Sequence, residues 1–293
     1  MLFNKMLPIN CIYGGPELGV CFDVYVTREA SGRYRMDFSW RDHASCAVTF
    51  SKDGLHWEYP VITLAPNPAS GWEDDINRNC VVRVGDVYHM WYTGQANGKS
   101  YLGHAQSADG LHFERTGARP VMVPETDFEK DSVMNPCVLY ENGVYRMWYA
   151  AGETYEPNVL CYAESDDGLV WKKSPENPIF VKGTREFEQD RVGGCQVVHT
   201  DDMGYLMMYI GYRDIDTACV CLAKSPDGIH DFVRSDNNPM LSATPGTWDE
   251  DSTYKPSFLW DEAARKWRLW YNGRRGNREY VGYAEYGKRE LFS

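Results

Sequence analysis

The sequence has no uninterrupted apolar run near the roughly 18 residues that a membrane-spanning helix needs. Its first stretch, MLFNKMLPINCIYGG, also lacks the continuous apolar core of a secretion signal. Both absences predict a cytoplasmic chain without a membrane partner. Positive charge is short as well: 30 Lys and Arg stand against 42 Asp and Glu, a net charge of −12. A polyanion partner needs clustered cations to neutralise its phosphates, so nucleic acid is excluded and a small, weakly charged ligand fits better. There is no C-x-x-C pair. The nine cysteines fall singly in strand-like segments and in odd number, which predicts reduced core thiols rather than disulfides or a zinc site. No H-E-x-x-H, G-x-S-x-G, P-loop or dinucleotide fingerprint occurs, so no cofactor is expected and no metal set is spaced for binding; only a lone axial ion has room.

What is present is a repeat. SKDGLHW from Ser51, SADGLHF from Ser107, SDDGLVW from Ser165 and SPDGIHDF from Ser225 share one frame. Each follows a strand ending in a small residue, and a further strand precedes that one: YRMDFSW, VYHMWYTG, VYRMWYAAG, YLMMYIGY and WRLWYNG. Alternation, turn residues at fixed offsets and the lack of any helical period give strand, hairpin, strand, loop, strand, D-G turn, strand. Five such units predict an all-β, five-bladed β-propeller over residues 1–293, with four antiparallel strands per blade and a central axial pocket. The last unit lacks its outermost strand after VGYAEY. Residues 2–14 are expected to supply or cover that edge, because an unpaired edge invites aggregation. His56 and His112 sit in the D-G turns and read as structural.

Antiparallel connectivity puts the loop leading into each innermost strand beside the exit of the second strand, next to the axis. The leading loops WEDDINRNCV, FEKDSVMNPCV, FEQDRVGGCQV and WDEDSTYKPSF each carry Asp three residues after an aromatic: Asp75, Asp131, Asp190 and Asp251. Four copies of one feature suit turn capping as well as chemistry. Four residues further on, the blades differ, with Asn79, Asn135, Gly194 and Lys255, and Asp23 in CFDVYV falls at the same level. The second-strand exits differ too: Arg41 and Asp42, Gln95, Glu153, Arg213 with Asp214 and Asp216, then Arg274 and Arg275. Arg-Asp follows an aromatic strand twice, at the end expected to face the pocket. Carboxylates on different blades, aromatic faces and amide or guanidinium donors suit a sugar, with one acid protonating the leaving oxygen and another activating water.

YRMWYAAG, YAESDDGLVW and NPCVLYENG resemble the five-bladed propeller glycosidases, the grouping of glycoside hydrolase families 43, 32 and 130, over about residues 15–290. By that resemblance Asp23 stands where family 43 has its general base. The family's second Asp falls at Asn135 and its acid Glu near Gly193, and both carboxyls are missing. The resemblance therefore turns to Asp190, Asp214, Asp131 or Glu153 for the acid. Arg41, Asp42, Asp75, Asn135, Glu153, Arg213, Asp251, Lys255 and Arg274 are the expected substrate contacts. The N-D-P-N-G motif of family 32 is absent, and YRDID matches its R-D-P loosely. The implied activity is inverting, exo-acting hydrolysis of a terminal, furanosyl or other, sugar. Two alternatives stand beside it: a phosphorylase holding phosphate on Arg41, Arg213, Arg274, Arg275 and Lys255, and a carbohydrate-binding propeller without turnover.

Overall fold

The computed structural model describes residues 2–6, 11–153 and 157–292, and apart from three single-turn 3-10 segments its regular structure is all strand. After the short β1 (Asn4–Lys5) comes a first meander of β2 (Cys21–Arg28), β3 (Tyr34–Trp40), β4 (Ser45–Ser51) and β5 (Val61–Leu64). The second is β6 (Asp75–Val84), β7 (Val87–Ala96), β8 (Lys99–Ser107) and β9 (Glu114–Arg115). The third is β10 (Ser132–Glu141), β11 (Val144–Gly152), β12 (Pro157–Ser165) and β13 (Lys172–Lys173). The fourth is β14 (Arg191–Thr200), β15 (Gly204–Asp214), β16 (Thr217–Ser225) and β17 (Val233–Arg234). The last is β18 (Ser252–Asp261), β19 (Lys266–Arg275) and β20 (Arg278–Tyr286), with β1 paired on its outer edge.

The first strands of these units touch in cyclic order: β2 with β6, β6 with β10, β10 with β14, β14 with β18, and β18 with β2. Side chains on them fasten each unit to the next. Cys80 and Cys137 accept the N–H groups of Val138 and Val197, each at 3.3 Å, Gln196 accepts that of Phe258, and Ser257 accepts that of Val26 at 2.8 Å. Two of the nine thiols therefore serve as inter-unit acceptors. None of the nine forms a disulfide, and all but Cys11 are buried.

The D-G turns are sockets. The serine hydroxyls of Ser51, Ser107, Ser165 and Ser225 accept the N–H of the glycine directly after the Asp, at 2.8–3.0 Å. The Asp carboxylate takes the next two N–H groups, as Asp167 does from Leu169 and Val170, both at 2.8 Å. Trp91, Trp148 and Trp270 then donate their indole N–H to the carbonyls of Gly168, Gly228 and Gly54 in the following unit, at 2.7–2.9 Å. Gly168 has φ +75°, and a Cβ there would lie 2.9 Å from the Trp91 ring. Gly168→Ala is expected to cost roughly 1–3 kcal/mol through the left-handed backbone and the clash. Urea unfolding checks it: the midpoint should fall with an unchanged slope.

The repeated leading loops have a structural core as well, two residues earlier than the Asp that the sequence emphasises. Glu73, Glu129, Glu188 and Asp249 are fully buried. Each takes a hydrogen bond from a second-strand tyrosine: Tyr92, Tyr149, Tyr209 and Tyr271. Each also pairs with a cation from the unit's outer edge, namely Arg115, Lys173, Arg234 and Lys5. A buried carboxylate is tolerable only with such partners. Lys5 on β1 supplies to the last unit what an outer strand supplies to the other three, so the N-terminal segment does complete that edge. Residues 7–10 of it lie outside the described residues.

Candidate active site

Each first strand carries an irregularity near its start, where the register with the second strand slips: Phe22 to Tyr25, Asn77 to Cys80, Met134 to Cys137, Gly193 to Gln196 and Tyr254 to Ser257. Four of the five slips hold a left-handed non-glycine residue: Asp23 at φ +55°, Arg78 at +53°, Asn135 at +53° and Lys255 at +43°. Such residues cost roughly 1–3 kcal/mol each and persist where surrounding structure fixes them. Polar groups of the neighbouring unit do so here: Asn272 accepts the N–H of Asp23 at 2.8 Å, Ser39 that of Arg78 at 2.8 Å, and Thr93 that of Asn135 at 3.2 Å. The fifth position is Gly194. A Cβ there would stand 2.7 Å from Cγ of Asn135, so the missing side chain makes the room that Asn135 occupies.

A bulge re-aims a side chain, and three of these residues, Asp23, Arg78 and Asn135, line one cavity of about 300 Å³. Asp23 is 4% exposed, and its Oδ2 has no hydrogen-bond partner among the described residues, although Arg78 Nε stands 3.4 Å away. Asn135 Oδ1 is buried without a partner as well. Asp75 and Glu279 add two carboxyls, Arg41 and Arg274 two guanidiniums, Asn77 and Gln95 amides, and Phe22, Tyr212 and Tyr254 aromatic wall.

Burial pushes the Asp75 carboxyl above its ordinary range, against the pull of Arg78 and Arg41. Burial raises Glu279 too; Arg41 opposes the shift and the charge of Asp23 adds to it. Arg41 Nη2 lies 2.5 Å from Glu279 Oε2, and its guanidinium rests 4.4 Å over the Phe22 ring. The Tyr254 hydroxyl lies beside Glu279, buried and without a hydrogen bond of good geometry. Among the described residues no group of three or more His, Cys, Asp and Glu is placed to hold a metal.

The cavity thus gathers Asp23, Arg41, Asp75, Asn135 and Arg274 from the expected set. Lys255 holds the matching bulge and is buried, but it is not part of the cavity wall, and its ammonium has no ion-pair partner among the described residues. The expected acids lie elsewhere. Asp190 pairs with Arg191 at 2.6 Å, Asp214 with Arg213 at 3.0 Å, and Glu153 with Lys130 and Arg191 at 3.2 and 3.3 Å. Asp131 is exposed, with its carbonyl accepting Ser100 N–H. Asp131 and Asp190 stand in the loops before the bulges, and Glu153 and Asp214 at the exits of second strands, where each meets solvent or a rim cation. Asp251, Arg213 and Arg274 border a separate open depression, and Asp42 is exposed.

Two charged cavity residues were not expected. Arg78, not Asn79, occupies the second unit's bulge, because the one-residue deletion in WEDDINRNCV falls before the bulge. Glu279 sits directly opposite Arg274 across the β19–β20 hairpin. Counting outward in both directions from the Gly276-Asn277 turn would have placed it there.

A closed ring of antiparallel meanders is the architecture of the propeller-type glycoside hydrolase superfamily. A solved thermostable family-43 glycoside hydrolase shares the fold, with a TM-score of 0.73 at 17% identity, covering 96% of this chain and 92% of that one. Residues 66–230, more than half of the chain, match the family described as glycosyl hydrolases family 32 N-terminal domain, and the chain belongs to that family. It is 28% identical over 261 residues to an uncharacterized protein of Mycobacterium tuberculosis, covering 82% of this chain and 83% of that one. It is also 24% identical over 197 residues to a 1,2-beta-oligomannan phosphorylase from a Thermoanaerobacter species, covering 64% and 60%. Its place is therefore within the glycoside hydrolase and phosphorylase superfamily.

Proposed function

We propose that the five units are the blades of one five-bladed propeller, and that its axial cavity hydrolyses the terminal glycosidic bond of a small glycoside with inversion. The carrying observation is Asp23: a buried carboxylate facing the cavity, fixed in a left-handed bulge, with one oxygen free of hydrogen bonds. That oxygen can accept a proton from an attacking water, the role of a general base. Volume supports the exo mode. About 300 Å³ is the lower end of ligand pockets, roughly 300–1,000 Å³, and suits a single terminal ring. Phe22, Tyr212 and Tyr254 offer faces for the ring, while Asn77, Gln95 and Asn135 offer hydroxyl partners.

One observation favours a second reading, phosphorolysis. Arg41, Arg78 and Arg274 line the cavity, a set that can hold an oxyanion. The phosphorylase among the relatives supports it too. A panel of oligosaccharides and aryl glycosides, incubated with and without phosphate, separates the two. Hydrolysis predicts a free sugar at a rate indifferent to phosphate; a sugar 1-phosphate formed only with phosphate selects phosphorolysis.

A further inference from the structure

We propose that the proton donor of this cavity is Glu279, from the last blade's outer hairpin, and that Arg41 holds it idle until a sugar enters. The proposal rests on the hydrolytic reading and names the residue that completes it. Three carboxyls line the cavity: Asp23, Asp75 and Glu279. With Asp23 taking the water's proton, one of the others must protonate the leaving oxygen. Arg41 and Arg78 favour the charged form of both Asp75 and Glu279. Glu279 in addition lies beside Asp23, whose negative charge favours a proton on it, and beside the Tyr254 hydroxyl. Two carboxyls in one site with environments that drive them apart are the usual mark of an acid and base pair.

The charged groups around Glu279 come from every packed element: Asp23 on β2, Arg41 after β3, Arg78 on β6, Tyr254 on β18 and Arg274 opposite it on β19. Arg41 makes a direct ion pair with it, at 2.5 Å. The Arg41 side chain is 54% exposed and lies over the ring of Phe22, the face on which a sugar would pack. A sugar on Phe22 displaces Arg41, and Glu279 loses its ion pair as the cavity dries. Its affinity for a proton then rises. In the step that follows, Glu279 gives its proton to the glycosidic oxygen as the bond to the anomeric carbon breaks. Water attacks that carbon from the opposite face and passes a proton to Asp23; the products are a free sugar and an alcohol, and solvent exchange resets both carboxyls.

The test compares phenyl and 2,4-dinitrophenyl glycosides of the sugar that the wild type cleaves best, across pH. Glu279→Gln should lower kcat/KM about 10²–10⁴-fold on the phenyl glycoside, which needs a proton, and under about tenfold on the dinitrophenyl one, which does not. The alkaline limb of its pH profile should vanish, with the thermal midpoint unchanged. Removing a cation that favours the charged form raises the pKa of Glu279. Arg41→Ala should therefore move the alkaline limb of kcat/KM, which reports the free enzyme, to higher pH and leave that of kcat in place. An equal fall on both leaving groups, or a retained alkaline limb in Glu279→Gln, would overturn the assignment to Glu279. A limb in Arg41→Ala that stays or moves down would overturn the restraint. Failure of the wild type to cleave any glycoside, with or without phosphate, removes the underlying reading as well, and is told apart by that.

Discussion

Replacing Asp23 by asparagine is expected to lower kcat/KM about 10²–10⁴-fold, the usual worth of a general base, on whichever aryl glycoside the wild type cleaves best. Asparagine is the informative substitution because it tolerates the left-handed backbone that Asp23 adopts at φ +55°. It also keeps the N–H that Asn272 accepts, so the bulge should stand and the thermal midpoint should hardly move. A variant that folds and turns over at the wild-type rate contradicts the role given to Asp23.

Lys5→Met is expected to cost about 3–5 kcal/mol, as when one partner of a buried ion pair is removed. The Lys5 side chain is 9% exposed and that of Asp249 fully buried. Without Lys5 the carboxylate keeps only the hydroxyls of Tyr271 and Thr247 and the Thr244 N–H. The loss should be read by urea unfolding. Lys5→Met with Asp249→Asn should recover part of it, since the unpaired charge is then gone. A double variant that loses the sum of the two single effects would mean that the two residues are not coupled and that β1 is a dispensable cover.

The units were legible because their fastenings repeat. Ser, Asp and Gly in S-x-D-G each have a bond to make, and an alternating aromatic strand precedes every copy. The missing outer strand was legible as an absence. The emphasis within the leading loops was not: Glu73, Glu129, Glu188 and Asp249 carry the buried charge, yet position alone does not separate them from the Asp two residues on. Asp23 and Asn135 could be placed because they stand at the same level near the start of first strands, a fixed distance from the repeated loop in the case of Asn135. Arg78 was displaced by one residue, since the deletion in WEDDINRNCV falls between the loop Asp and the bulge. Glu279 lies far along the chain on a third strand, and only the closure of the last unit against the first brings it to Arg41.

The most direct test of the site is a crystal structure of the Asp23→Asn variant soaked with a glycoside that the wild type cleaves. The expected density is a terminal ring on Phe22, with its glycosidic oxygen toward Glu279 and Arg41 swung away. A sugar bound instead in the open depression bordered by Arg213 and Asp251, with the cavity empty and Arg41 still on Glu279, would contradict the account.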